Sequence, residues 1–369
     1  MNQLFRWDQM GLFLLALAAG ILPFAVPEVC AAALREGLAL CCGPLLLSLF
    51  PFLVVSRLLI QCPESDLLAL PFRLAAWGIG IRTPCAARVL CIGFLGGFAP
   101  AASAAAQAVR TGQLTAEEAD ALLPACICSG PSFVVLTVGQ SLLGSAELGV
   151  LLFASQITAN YLTAALLNRF AGVHSVKPGS AAPASPAPPR LDEILADAAI
   201  TYCKLCGFIL FFRLLAAGAG ALLPAGAGTL CAVLLEVCSG CDLASRTGRL
   251  GSLLCCAALS VQGLSVLLQV RTICPPEMTL RPLYWARMLH LPLSLALFYL
   301  LLPGGEADVF STLPARVLLM RRVPPDCALL VFAVCCMAAC TLRSGIRQVE
   351  QKQMARNAGG CCINSKTLL

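Results

Sequence analysis

Long apolar runs separated by short polar stretches dominate the pattern of this chain. Such runs predict helices that cross or enter a lipid bilayer, because a helix needs about 20 apolar residues to span its core. The runs that predict a span occupy residues 10–26, 37–60, 147–167, 205–223, 288–302 and 327–342. The stretches between them predict a short connection at 27–37, an interfacial helix at 64–80 and an amphipathic lead-in at 191–204.

Two further apolar segments, at 93–110 and 121–143, are interrupted near their middle. Glycine, serine and proline form both interruptions: Gly96, Gly97 and Pro100 in the first, and Ser129, Gly130 and Pro131 in the second. Proline removes a backbone donor and glycine favours unwinding. Backbone groups freed in this way are tolerated in a membrane only where protein covers them or where they line a cavity. Interrupted segments therefore predict a transport site near the bilayer midplane.

A second copy of this pattern follows in the other half of the chain. It reads LLEVCSGCDLAS from Leu234 and LSVQGLSVLLQVRT from Leu259. Here Cys238-Ser239-Gly240 corresponds to the first interruption and Gln262-Gly263 to the second. The repetition predicts an all-α polytopic membrane protein of two inverted repeats with broken, re-entrant helices. The competing interpretation is that small residues only let membrane helices pack closely.

A stretch rich in proline, serine and alanine divides the chain at residues 172–190. It has no periodic apolar face and predicts an exposed linker. The first membrane repeat is then 1–171 and the second 191–303, while 304–369 contains a loop, a last transmembrane helix and a basic tail. The positive-inside rule places this tail in the cytoplasm.

Composition excludes most soluble functions. Hydrophobic residues make up 59% of the chain, charged residues 12%, and the mean hydropathy is +0.86, which predicts an integral, multi-pass membrane protein. The net charge of +6 is spread over loops and tail, so it indicates orientation and not nucleic-acid binding. The four lysines form no P-loop and no catalytic triad is apparent. We therefore expect no enzyme, but a passive or ion-coupled carrier.

The 22 cysteines lie mostly in apolar segments, where a thiol behaves as a small hydrophobe. Cys203 and Cys206, and likewise Cys238 and Cys241, have metal-ligand spacing without accompanying histidines or carboxylates. We expect no metal, no cofactor and no disulfide framework.

Several stretches resemble a known family. GFLGG at residue 93, TGQLTAEEADALLPACICSGP, LLEVCSG, and GLSVLLQV followed by RPLYWARMLH resemble the YlbJ (SpoVV) family of sporulation integral membrane proteins. The resemblance covers about residues 37–302. That family belongs with the nucleoside-recognition or gate domain proteins, which are similar to concentrative nucleoside transporters and to the membrane part of ferrous-iron transporters. It implies an endospore-forming bacterium, the outer forespore membrane, and movement of dipicolinic acid towards the forespore.

The chain departs from this family at several polar positions. The family's lysine after its GYP-type turn has no counterpart near Ser103, and Cys-Asn-Asn-Ser-Gly-Pro becomes CICSGP. The family's Thr-Asn-Gly becomes Cys238-Ser239-Gly240, and its histidine becomes Leu267. The resemblance therefore implies the fold more strongly than the substrate. Two alternatives stay open: a carrier of another, nucleoside-like substrate, and a non-transporting component of spore-envelope assembly.

Half-helix N-termini at the interruptions suit a small, flat dianion, because the helix dipole is positive there. The candidate substrate-binding residues are Gly97, Ser129, Gly130, Pro131, Ser132, Ser239, Gly240, Gln262, Gly263, Ser265 and Gln269. Each serine has an alternative role, which is to bond a carbonyl one turn back. The expected partners are dipicolinate or a similar small molecule and the lipid bilayer, with a homo-oligomer or other sporulation membrane proteins as further candidates.

Glu236 is a carboxylate within an apolar run. An intramembrane acid is costly and is a functional candidate by default. We predict that it binds a coupling proton or sodium ion; the alternative is a structural ion pair with Arg287 or another cation.

Overall fold

The structure is a computed structural model that describes residues 2–61, 63–171 and 191–302. These residues form helices and turns, with no strand among them. Their α-helices are α1 (Asn2–Ala25), α2 (Pro27–Leu40), α3 (Leu46–Gln61), α4 (Leu70–Gly78), α5 (Pro84–Gly96), α6 (Phe98–Arg110), α7 (Ala116–Cys126), α8 (Ala146–Ala171), α9 (Leu191–Leu222), α10 (Ala225–Leu235), α11 (Val237–Ser245), α12 (Gly251–Val261), α13 (Gly263–Ile273) and α14 (Arg281–Leu301). Wider π-helical turns form at Cys41–Leu45 and Ser132–Leu142, and 3₁₀ turns at Pro63–Asp66 and Gly248–Leu250.

Three helical stretches are long and apolar enough to cross a membrane: Ala146–Ala171, Leu191–Leu222 and Gly251–Ile273. A fourth arises if the bent pair Phe13–Ala25 and Pro27–Gly43, whose arms meet at 112°, counts as one span. Helices of this length and hydropathy indicate a membrane-associated protein. The larger number of spans expected from hydropathy stays a prediction.

Two predicted boundaries are wrong. The lead-in at 191–204 and the span at 205–223 form one uninterrupted helix, α9, because no proline separates the amphipathic start from the apolar end. The connection at 27–37 is the first part of α2, which starts with Pro27 in its first turn, a position where the missing proline donor costs nothing. The linker at 172–190, the last span at 327–342 and the basic tail lie outside the described residues.

Both predicted repeats contribute to one apolar core. Its buried side chains come from the end of α3, from α4 to α8 and from α10 to α14. Helix α14 packs against α7, α8 and α12, and α9 packs against α2, α3 and α10. Helices α6 and α13 contact each other directly, so the two interrupted regions are neighbours.

Four interruptions divide the central helices. One lies at Gly97 between α5 and α6, and one at 127–131 between α7 and the Ser132–Leu142 helix. The other two lie at Glu236 between α10 and α11, and at Gln262 between α12 and α13. We call α5 to Leu142 the first broken pair and α10 to α13 the second broken pair. The relation of the two pairs by an inverted twofold axis stays a prediction.

Candidate functional site at the helix interruptions

The first broken pair is held together by backbone packed against backbone. Gly97 has φ +80° and ψ −163°, a region open essentially to glycine alone. A Cβ atom on Gly97 would lie 2.6 Å from the amide nitrogen of Gly130. The two glycines predicted as interruptions therefore touch, and the contact requires glycine at position 97.

The second interruption places Ser129 and Pro131 on either side of Gly130. Ser129 is 5% exposed, and Pro131 precedes the first turn of the Ser132–Leu142 helix. Among the described residues no side chain caps this helix, and none caps α6. Both half-helices thus start inside the protein with N-termini that no side chain neutralises.

The third interruption lies at Glu236, which corrects the expectation that Gly240 marks it. Glu236 is extended, with φ −151° and ψ 126°, whereas Gly240 lies within α11. A Cβ atom on Gly240 would approach Cα of Val233 to 2.8 Å. Gly240 therefore allows α10 and α11 to pack closely, which is the competing interpretation given above for small residues.

Glu236 caps the helix that it precedes. Its carboxylate accepts hydrogen bonds from the backbone N–H of Cys238 at 2.8 Å and of Ser239 at 2.7 Å, and the residue is 1% exposed. Within the described residues it forms no ion pair, and Arg287 bonds elsewhere. The alternative of a Glu236–Arg287 pair is therefore wrong. Two backbone donors at the positive end of α11 hold the carboxylate instead, and Arg213 is near enough to interact with it electrostatically.

The fourth interruption is at Gln262, which has φ 65° in the left-handed region. Its amide Nε2 donates to Leu259 O at 2.7 Å and to Ser129 Oγ at 3.4 Å. Gly263, with φ +71°, would bring a Cβ atom to 3.0 Å from the amide nitrogen of Glu236. Each pair thus closes on itself, and the Gln262–Ser129 contact connects the two pairs.

A small cavity lies between the first three of these interruptions. It measures about 50 Å³, and its lining includes Ser129, Gly130, Ser132, Glu236 and Gln269. A water molecule occupies about 30 Å³ of liquid, and pockets for drug-sized ligands measure about 300–1,000 Å³. In this conformation the cavity therefore has room for an ion or one or two waters, and an organic substrate requires it to open.

The remaining predicted side chains differ in their partners. Gln269 Nε2 donates to Ser265 Oγ at 2.8 Å, and both residues are buried. The Gln269 Oε1 atom is buried without a hydrogen-bond partner among the described residues. Ser239 contributes its backbone N–H to Glu236. Within the described residues, neither Ser265 on α13 nor Ser239 on α11 donates to a carbonyl one turn back.

The sequence prediction missed the central role of Arg287. This residue is 7% exposed and donates to Ile127 O at 3.1 Å and to Ser260 O at 3.3 Å. Both carbonyls belong to helix ends at an interruption, those of α7 and α12, where the dipole is negative. Asn160 Oδ1, at 3.1 Å, is a third acceptor. The only sequence signal is a charged residue within the apolar run of α14, the same signal that selected Glu236.

No protein-family model matches this chain, and comparison with curated proteins and with solved structures found no significant match. The family is not shown. The resemblance to the YlbJ family therefore stays an expectation based on the stretches quoted above.

The cysteines that the structure describes are free thiols. Within these residues no group of three or more histidine, cysteine or acidic side chains is placed to hold a metal ion. The expected lack of a metal site and of a disulfide framework stays a prediction for the whole chain.

Proposed function

We propose that this protein is a membrane carrier for a small anionic metabolite, with dipicolinate as the first candidate. The observation that carries the proposal is the meeting of three helix interruptions, those beside Gly97, Gly130 and Glu236, at one small cavity, with the fourth interruption packed against the second through the Gln262–Ser129 contact. Irregular backbone within a membrane protein is tolerated where it lines a cavity, and carriers place their substrate sites at such broken helices.

The charge of the substrate follows from the helix ends. Three half-helices start at the interruptions without a side-chain cap among the described residues: α6, the Ser132–Leu142 helix and α13. Such N-termini bind anions through backbone N–H groups and the helix dipole. The fourth N-terminus, that of α11, is already occupied by the Glu236 carboxylate.

The proposed cycle requires the two broken pairs to separate. The 50 Å³ cavity represents the closed state of this cycle. Opening breaks the weak Gln262–Ser129 contact at 3.4 Å and one of the two Arg287 bonds that join the pairs. Glu236 lines the same cavity. Its proposed role as a coupling site requires a proton or sodium ion to compete with the two backbone donors that now hold it.

The test is uptake of labelled dipicolinate into liposomes that contain the purified full-length protein, at several pH values, with and without sodium. Protein-free liposomes and a labelled nucleoside are the controls. Saturable dipicolinate uptake supports the proposal, and dependence on pH or sodium supports ion coupling. Uptake of the nucleoside alone contradicts the proposed substrate, and uptake of neither compound contradicts the carrier function.

A further inference from the structure

A second, larger cavity shares Gln269 with the cavity between the interruptions. It measures about 180 Å³ and is lined by residues of α3, α6, α9 and α13. Its polar lining residues are Arg57, Ser103, Arg110, Asp197, Lys204 and Gln269, together with two threonines. We call this cavity the cationic vestibule. Arg110 is the last residue of α6, and the last residues of α13 also line it, so the vestibule lies at the ends of these half-helices that are remote from their interruptions.

The vestibule carries an excess of positive charge. Its single carboxylate, Asp197, is paired with Arg57. Arg110 donates only to the carbonyl of Ile273, at 3.4 Å, and neither Arg110 nor Lys204 has a carboxylate partner among the described residues. Two cations thus face a concave, partly apolar space, where the field of like charges is concentrated.

Gln269 connects the vestibule to the inner cavity, because it lines both. It is 2% exposed, and its Oε1 atom has no partner within the described residues. Its Nε2 atom donates to Ser265 Oγ. If the amide turns over, the Ser265 hydroxyl donates to Oε1 and the NH₂ group is released towards an anion. One side chain can therefore pass an anionic oxygen from one cavity to the other.

We propose that the cationic vestibule is an entrance subsite that binds the carboxylate or phosphate oxygens of a small anion through Arg110 and Lys204. The anion then passes Gln269 into the cavity between the broken pairs. This assignment rests on the proposed carrier function for its direction, but the binding of the anion is tested without transport.

Lys204 makes the test specific, because it is the one lysine within the described residues; Lys177, Lys352 and Lys366 lie outside them. The full-length protein is treated with a low concentration of an amine-reactive ester, and modification of each lysine is measured by peptide mass spectrometry. The probes are dipicolinate, its neutral dimethyl ester, and anionic lipid in nanodiscs, each compared with zwitterionic nanodiscs alone. The other lysines serve as internal controls.

We expect dipicolinate to slow the modification of Lys204 saturably in zwitterionic nanodiscs, and its neutral ester to have no effect. Arg110→Gln is expected to weaken this protection by about tenfold, because a charge-assisted bond is lost. Arg169→Gln, which removes the same charge from the exposed end of α8, is expected to leave the protection unchanged.

Protection by anionic lipid alone would assign the cations to a headgroup and overturn the entrance role. Equal protection in wild type and Arg110→Gln, or none in wild type, would also overturn it. The carrier function is judged separately: uptake without protection contradicts only the vestibule, whereas protection without uptake contradicts only the carrier.

Discussion

The two broken pairs reach a similar shape by different means. In the first broken pair, Gly97 packs on Gly130, so backbone meets backbone and no acidic side chain takes part. In the second, the acidic side chain of Glu236 caps α11 and the left-handed residue is Gln262. The first broken pair depends on the absence of a side chain at Gly97, and the second broken pair depends on the presence of one at Glu236.

This difference indicates where an anion can bind. A carboxylate already occupies the N-terminus of α11, and a second anion placed there would meet a like charge. The first broken pair has two N-termini without such a cap among the described residues. If the protein carries an anion, the first pair should contact it most closely, and the second pair should respond to a coupling ion.

The largest expected effect is that of Gly97→Ala in the first broken pair. The substitution forces a side chain into a glycine-only backbone region and brings Cβ to 2.6 Å from the Gly130 nitrogen. Strain and overpacking together are expected to lower the free energy of unfolding by about 3 kcal/mol or more. Unfolding of purified protein in mixed micelles measures the loss.

Two glycines serve as matched controls for Gly97. Gly144 has φ +77° with open space around it, so Gly144→Ala tests the backbone strain alone. At Gly130 a Cβ atom would lie 3.4 Å from Gly96 O, which is ordinary contact, so Gly130→Ala adds a methyl group at the same site without overpacking it. If either control loses as much stability as Gly97→Ala, the glycine contact does not hold the first pair together.

The next largest effect is expected at Arg287, which bonds the end of α7 in the first pair and the end of α12 in the second. Arg287→Met keeps the apolar stem but leaves three buried acceptors without this donor. We expect a loss of about 3 kcal/mol in the free energy of unfolding. Arg281→Met, on the exposed start of the same helix, is the control. A similar small loss for both variants would show that Arg287 does not connect the pairs.

The sequence predicts an interruption correctly where glycine or proline lies at the break. Gly97, Ser129-Gly130-Pro131 and Gln262-Gly263 lie at or beside observed breaks, because glycine and proline have a direct effect on the backbone. The break at Glu236 could not be found in this way. Its extended backbone is open to every residue type, and the capping bonds that fix it form only once α11 starts at Val237. Gly240 was predicted as an interruption but lies within α11, because glycine also occurs where two helices pack closely.

The same reasoning explains why Arg287 was placed wrongly. A charged residue in an apolar segment predicts a buried partner, and Glu236 is an acid within an apolar run of the second half. The actual partners are carbonyls at helix ends, which carry no sequence signal because every residue has one. The buried acid Asp120 likewise bonds backbone groups, because it accepts from the backbone N–H of Thr279 and of Leu280.

A smaller effect is expected at Glu236. Glu236→Ala removes both capping bonds of α11 and should cost about 1–2 kcal/mol of stability, as for other N-caps. Glu236→Gln keeps an acceptor oxygen and should cost less, while abolishing any dependence of transport on pH or sodium. Glu147→Gln, in the exposed first turn of α8, is the control. Transport by Glu236→Gln that keeps its ion dependence would rule out coupling at this residue.

The smallest effect is expected at the contact between the pairs, where Gln262 Nε2 donates to Ser129 Oγ across 3.4 Å. The bond is long, and Gln262 has a shorter one to Leu259 O at 2.7 Å, so Ser129→Ala should cost only about 0.5 kcal/mol. A double-mutant cycle with Gln262→Ala isolates the coupling between the two side chains, and we expect the coupling energy to be below about 1 kcal/mol.

Loss of the Gln262–Ser129 contact should lower stability but raise the rate of substrate exchange. If opening separates the two pairs, weakening this contact favours the open state, so Ser129→Ala should speed substrate exchange even as it lowers substrate affinity modestly. A coupling energy above about 2 kcal/mol, or slower exchange in the variant, would mean that the two broken pairs move as one unit.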